Sequence, residues 1–402
     1  MNDQKKSSTS RLLATALGLT LAQPFIAYGD DEGAIESLTG FNINHSSLLQ
    51  DLGITAGGWV SVGIAGNPDD PRDNFNGPVT FNDRANEFNM HQLYGFIERA
   101  THPETKNWDI GFRADLLYGT DARFSAQANF DDTLVDSDFY QLVFPQAYAE
   151  IFAPIGNGLT TKIGHFYTII GYEVVTAPDN FFFSHAYTMQ YGEPFTHTGI
   201  LSSYPLNDNF TATLGVVSGW DSFFQQPPNF LGGISYTTDD ENTSVAFSLI
   251  TGDTQGANER DEFHRSMYSI VVSHNITDRL HYTLQHDLGV QEVSQDADAA
   301  KWYGINQYLT YDIDDHLATG VRFEWFRDED GTRIGPIGRN NSLPSGIANH
   351  YLAATIGLNY QPTTWLTFRP EIRYDWTTDG DAFDDGRDDD QLLISADMSI
   401  RF

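Results

Sequence analysis

The last thirteen residues, DQLLISADMSIRF (390–402), alternate almost without error and stop on an aromatic. Leu392, Ile394, Ala396, Met398, Ile400 and Phe402 share one face, and Leu393, Ser395, Asp397, Ser399 and Arg401 share the other. Successive side chains of a strand point to opposite faces, so one side of this segment is apolar and the other mostly polar. A half-buried strand of any soluble sheet would read the same way. Here segments of the same length and style recur back through the chain with turns between them. About ten alternating residues, tilted, is what a strand needs to cross the hydrocarbon of a bilayer.

Sixteen strands are predicted on this pattern, from residue 54 to 402: 54–65, 88–99, 108–119, 140–152, 159–166, 197–205, 210–220, 229–237, 243–252, 266–275, 279–291, 301–312, 316–327, 349–360, 365–376 and 390–402. In the fifteenth, Leu366, Phe368, Ile372, Tyr374 and Trp376 oppose Thr367, Arg369, Glu371, Arg373 and Asp375. Aromatics gather near strand ends, as interfacial girdles would require. Connections alternate long and short, the asymmetry of external loops against periplasmic turns. The expectation is an all-β, closed antiparallel transmembrane barrel with both mature ends on the periplasmic side. A soluble β-sandwich would need neither the one-sided long loops nor so many strands.

Composition agrees with that reading. The formal net charge is -33, from 55 acidic and 22 basic residues, which makes the chain a poor nucleic-acid binder, because the phosphate backbone needs clustered Lys and Arg. Mean hydropathy is -0.36, and no apolar run is long enough for a mature membrane helix. Cysteine is absent, so there is neither a disulfide framework nor a thiolate metal site. Lys5, Lys6 and Arg11 precede an apolar stretch over 12–22, with small residues at Ala22 and at 27–29 as cleavage sites. Residues 1–29 therefore read as a secretory signal. Residues 30–53 read as an N-terminal extension, with 46–52 a short helix or plug, and 54–402 as the barrel.

The longest connection, residues 167–196, carries the candidate site. It holds Phe181, Phe182, Phe183 and Phe195 and few charges, too apolar a stretch for a loop left in water, and long loops in compact proteins are commonly functional. The barrel lumen is the surface available to it. Glu173, Asp179 and Glu193 would then face inward Arg322, Arg369 and Arg373 across the narrowest section, as charged rings do in selective pores. Glu324, Glu371 and Asp375 on the same inward faces would instead neutralise the arginines within the wall. Neighbouring inward positions such as Thr367, Ser395 and Asp397 are expected to accept charge readily. The acidic run from Asp379 to Asp390 lacks the ordered spacing of a calcium loop and reads as a solvated external loop. No cofactor or metal is indicated, and no GxSxG, GxxxxGK[ST] or HExxH signature occurs.

Several of these stretches resemble the second family of putative β-barrel porins of Gram-negative bacteria. They are Gly57-Gly58-Trp59, Lys162-Ile163-Gly164-His165-Phe166 leading to Gly171-Tyr172-Glu173, Asn180 with Ser184, and Pro194-Phe195-Thr196-His197-Thr198-Gly199. The resemblance implies an outer-membrane channel. With the pattern above it gives the expectation of a porin passing small hydrophilic solutes or ions through a polar, water-filled lumen narrowed by residues 167–196. Its expected surroundings are outer-membrane lipid and lipopolysaccharide, with the barrel assembly machinery reading Phe402; a homotrimer is suggested by architectural analogy alone. An embedded lipid hydrolase and a plugged structural or adhesive barrel are the alternative readings.

Overall fold

The computed structural model describes residues 32–402, apart from 128–129, 133, 136, 138, 256–261, 294–297 and 336–347. The expected signal, residues 1–29, lies outside the described residues. Sixteen staves follow in order: β1 (Thr55–Gly66), β2 (Phe88–Arg99), β3 (Asp109–Gly119), β4 in two pieces (Gln141–Val143 and Ala147–Ala153), β5 (Leu159–Tyr167), β6 (Thr196–Pro205), β7 (Phe210–Ser218) and β8 (Pro228–Thr237). They continue as β9 (Thr243–Gln255), β10 (Glu262–Asn275), β11 (Leu280–Gln291), β12 (Ala300–Asp312), β13 (Leu317–Asp328), β14 (Asn349–Thr363), β15 (Leu366–Thr377) and β16 (Asp390–Arg401). Each pairs antiparallel with its sequence neighbour, and β1 pairs β16 to close the sheet, with Trp59 opposite Arg401 and Gly66 opposite Ile394. Closure leaves no edge, the condition for a sheet in lipid.

The break in β4 falls at Phe144-Pro145-Gln146, where the sequence pattern predicts continuity. Proline has no N–H to give to the ladder. The Phe144 N–H turns instead to the Asp131 carboxylate at 2.8 Å, and the Gln146 carbonyl is taken up by the Asp115 N–H at 2.9 Å.

The outward row is lipid-facing: Ile110, Leu214, Val216, Ile356, Ile372 and Ile394 are all exposed. Phe402 closes the seam, its N–H donating to the Gly58 carbonyl at 2.9 Å while its own carbonyl accepts from Gly58 at 3.1 Å. The N-terminal extension forms two six-residue helices, α1 (Ala34–Thr39) and α2 (Ser47–Leu52). It is tied to the short-turn rim by Thr364 Oγ1 donating to the Glu32 carbonyl and by the Asn44 amide bridging the N–H and C=O of Ala56.

The inner face departs from the expected polar wall. Leu201, Leu231, Ile250 and Met267 point inward from β6, β8, β9 and β10 and pack in one cluster with Ile170, Tyr187 and Tyr191. Thr367, Ser395 and Asp397 are buried too, so the inward positions expected to accept charge are closed to water. The reason is a second layer inside the barrel, which turns much of the inner wall into core.

The facing of β15 and β16 is directly testable. Ile394→Lys places a cation on the lipid side at a cost of about 2–4 kcal/mol. It should sharply lower the amount of heat-modifiable barrel in the outer membrane, as should deletion of Phe402, whereas Ile394→Leu should not. Normal levels for both lesions would contradict the assigned facing.

Candidate functional site

Alternation places Arg322 of β13 and Arg369 and Arg373 of β15 on the inner face, where all three are buried. A guanidinium carries five donors in a fixed fork and must be paired when desolvated. Arg369 gives Nε and Nη2 to Asp397 at 2.8 and 2.5 Å, and Nη1 to the carbonyls of Ala177, Asn180 and Phe182 at 2.7, 2.7 and 3.0 Å. Arg373 bonds Asp375 through Nε at 2.9 Å, and through Nη1 the Glu324 carboxylate at 3.0 Å and the His185 carbonyl at 2.8 Å. Arg322 meets Glu173 at 2.7 Å and Glu324 at 2.8 Å, and holds the Ser184 carbonyl at 2.6 Å. Each arginine thus splits its donors between carboxylates and the backbone of the loop over residues 168–195.

The carboxylates of the wall reach the same loop from the acceptor side. Glu371 accepts from the N–H groups of Phe183 and Ser184 at 3.0 and 3.1 Å. Glu324 accepts from the Tyr187 N–H at 2.8 Å, and Asp375 from the Tyr187 hydroxyl at 2.9 Å. Further round the wall, Gln92 of β2 donates to the Val175 carbonyl at 2.7 Å and accepts from the Ala177 N–H at 3.0 Å. Trp302 of β12 donates to the Gly192 carbonyl at 3.0 Å, and Asn306 binds Thr188. The loop is therefore fastened along the arc of wall from β12 round to β2, its polar backbone answered by side chains of the wall.

A second loop covers it. Thr80 donates through both its N–H and its hydroxyl to the Gln190 side-chain oxygen, at 2.5 and 2.8 Å, and Phe81 stacks on Phe124 and packs against His185. Nothing in the pattern of residues 67–87 marks them as an inner layer, and this cover was not legible in the sequence. On the short-turn side, Asp179, Asn180 and Phe181 form the roof of a cavity of about 820 Å³, also lined by Asp278, His281, Asp312 and His316.

The three loop carboxylates have three different settings. Burial disfavours the Glu173 carboxylate, but Arg322 and hydrogen bonds from His185 and the Ala186 N–H outweigh it and hold the group down at about 2. Asp179 opens to the cavity just described. Among the described residues Glu193 meets no arginine: it accepts from Gln285 and lies beside Asp287, so burial and then that neighbouring charge push it well above the usual range. Gly171 underlies it with φ +91°, a conformation that favours glycine, and a Cβ there would run into the Glu193 carboxylate. The three guanidiniums pair with four carboxylates (Glu173, Glu324, Asp375 and Asp397) while Glu371 serves the loop N–H groups, so among the described residues these arginines leave no unpaired positive strip.

A family model described as Putative beta-barrel porin-2, OmpL-like, matches residues 53–402. No curated protein sequence matches the chain. Among solved structures, the outer membrane channel DcaP of Acinetobacter baumannii superposes with a TM-score of 0.58 at 12% identity, over 87% of this chain and 97% of that one. An anion-selective porin from Comamonas acidovorans gives 0.56 at 10% identity, over 87% and 99%. The trimer form of OmpT, an outer membrane protein of Vibrio cholerae, gives 0.53 at 10% identity, again over 87% and 99%. At these identities the likeness is one of fold.

Glu173 gives the site a defined pH response. Its folded value lies below the ordinary 4.5, so its contribution is complete above that value and is lost as pH falls toward about 2. The difference in thermal midpoint between the natural protein and Glu173→Gln should be flat from about pH 7 to 5, reflecting on the order of 3 kcal/mol, and should close at lower pH. A difference that is absent at neutrality, or that does not change with pH, would remove Glu173 from the clamp.

Proposed function

We propose that this chain, which belongs to the OmpL-like Putative beta-barrel porin-2 family, lets small hydrophilic solutes and ions diffuse passively along a path narrowed by residues 167–196. The chain is a bacterial outer-membrane β-barrel channel of the porin kind. The observation that carries the finer reading is the arginine clamp, which holds an irregular loop inside the barrel at a fixed place. Irregular backbone at membrane depth is tolerated only where protein or a water-filled path surrounds it. Passive diffusion asks for no turnover chemistry, so the residues brought together here serve position and charge.

Selectivity follows from the same bookkeeping. Arg322, Arg369 and Arg373 of the inner wall are matched by carboxylates, and the chain carries -33 overall with acidic external loops. The field at the mouths therefore enriches cations, over a screening length of roughly 8 Å at physiological salt. One observation favours a second reading, a plugged barrel: the loop is fastened along the wall from β13 round to β2 and is itself covered by residues 78–81. A single-channel recording separates the two. For its surroundings we propose outer-membrane lipid and lipopolysaccharide, the barrel assembly machinery acting on the strand that ends in Phe402, and a homotrimer as in the trimer form of OmpT.

Deleting residues 176–190 leaves Glu324, Asp375 and Asp397 in place as wall partners of Arg373 and Arg369, so the barrel should still assemble. Its stepwise conductance in planar bilayers should rise several-fold over the intact chain, and larger solutes should pass. The intact chain should show modest cation preference in dilute KCl that fades with added salt. Unchanged conductance in a folded deletion variant would contradict the narrowing. Silence in the intact chain with large steps in the deletion variant would establish the plug.

A further inference from the structure

Nearly every inward arginine described above is neutralised at close range, but two are held differently. Arg265 of β10 points inward at the long-loop end, in register with Gly252 and Gln291 and one inward step above Met267. Its guanidinium lies 4.7 Å from the centroid of the Trp220 ring. Arg333, from the connection between β13 and β14, lies 5.1 Å from Trp220 and 4.9 Å from Trp302. The two indoles meet edge to face at 6.1 Å. Trp302 is seated against the wall at Gly289, where any Cβ would collide with its ring. Among the described residues only the Nε of each arginine has a hydrogen-bond partner: Arg265 donates to the Gln291 side chain at 2.8 Å and Arg333 to the Tyr191 carbonyl at 2.7 Å. Among the described residues neither forms an ion pair.

The nearby carboxylates are already engaged. Asp221 accepts from the N–H groups of Phe195 and Thr196 and from the Thr196 hydroxyl, and Asp328 accepts from the N–H groups of Thr332, Arg333 and Ile334. Stacking on an indole fixes the plane of a guanidinium without using its terminal donors or cancelling its charge. Two forks held in this way, partly exposed to the lumen, form a ready receptor for an oxyanion.

We propose that Arg265 and Arg333, set on Trp220 and Trp302, bind the carboxylate or phosphoryl group of a small solute at the external entrance of the lumen. This rests on the channel reading and names the solute class that the entrance selects. It is compatible with an acidic mouth, because the field of the mouth acts on all ions at long range, whereas the forks act on one group by contact. Bound solute then appears as a blocker of the current rather than as anion selectivity.

The test is calorimetric titration of the folded full-length chain in detergent with gluconate, glucose 6-phosphate and glucose, with conductance recorded on the same preparations. Gluconate, glucose 6-phosphate or both should bind and glucose should not; which of the two binds tells a carboxylate source from a phosphoryl source. Arg265→Gln and Arg333→Gln should each weaken binding at least tenfold, with heat-modifiability showing that the barrel is intact. Arg265→Lys, which keeps the charge and loses the fork, should weaken it as well. Arg387→Gln, at a guanidinium in an external loop, should leave it unchanged. Equal binding of glucose, no binding of either anion, or binding indifferent to the Arg265 and Arg333 substitutions would overturn the assignment. Absence of conductance in every form would instead overturn the channel reading and leave the binding result standing.

Discussion

A buried guanidinium with two classes of partner organises this molecule. Arg322, Arg369 and Arg373 could not sit in the wall without carboxylates, and the carboxylates could not sit there without them, because either alone is an uncompensated charge in a low dielectric. The fork has more donors than the wall uses, and the surplus goes to carbonyls of the loop at Ala177, Asn180, Phe182, Ser184 and His185. The loop has no ladder of its own to satisfy its backbone, so what it gains at the wall is what keeps it folded. Wall and loop are thus one polar network, and its partial removal is costlier than its pairwise contacts suggest.

Two boundary conditions meet across each strand. Outside, lipid demands an apolar row at every second residue. Inside, the demand varies with height and azimuth, because β13 and β15 carry the charged clamp while β6, β8, β9 and β10 carry aliphatic side chains beneath Ile170 and Tyr191. The inner layer thus turns part of the wall into core and part into a charged clamp.

That asymmetry explains what could be read from the sequence. All sixteen staves were legible, because the outer face has one simple code and long and short connections alternate. β4 is interrupted where Pro145 withdraws a donor, and β9, β10 and β14 run three or four residues beyond their predicted bounds. The inward facing of Arg322, Arg369 and Arg373 was legible for the same reason, and so was a loop too apolar to remain outside. The partner of Glu193 was not, since its place beside Asp287 and Gln285 depends on how the loop turns at Gly171. Nor was the engagement of loop carbonyls, which leave no mark in a sequence, or the cover formed by Thr80 and Phe81. The inner aliphatic row on β6 to β10 was visible as residues but was assigned to a polar wall, because alternation tells which face a residue takes and not what packs on that face.

Because the chain has no cysteine, a single introduced thiol reports accessibility without background. Ser184 is 1% exposed and bonded to Arg322 and Glu371 inside the barrel, whereas Asp132 is exposed in an external loop. The deciding measurement is the labelling rate of Ser184→Cys against Asp132→Cys by a membrane-impermeant maleimide on intact cells. The clamp account requires Ser184→Cys to be protected by orders of magnitude while Asp132→Cys reacts freely. Equal rates, in a protein shown to be assembled, would mean that the loop lies outside the lumen and that the account of this channel's interior is wrong.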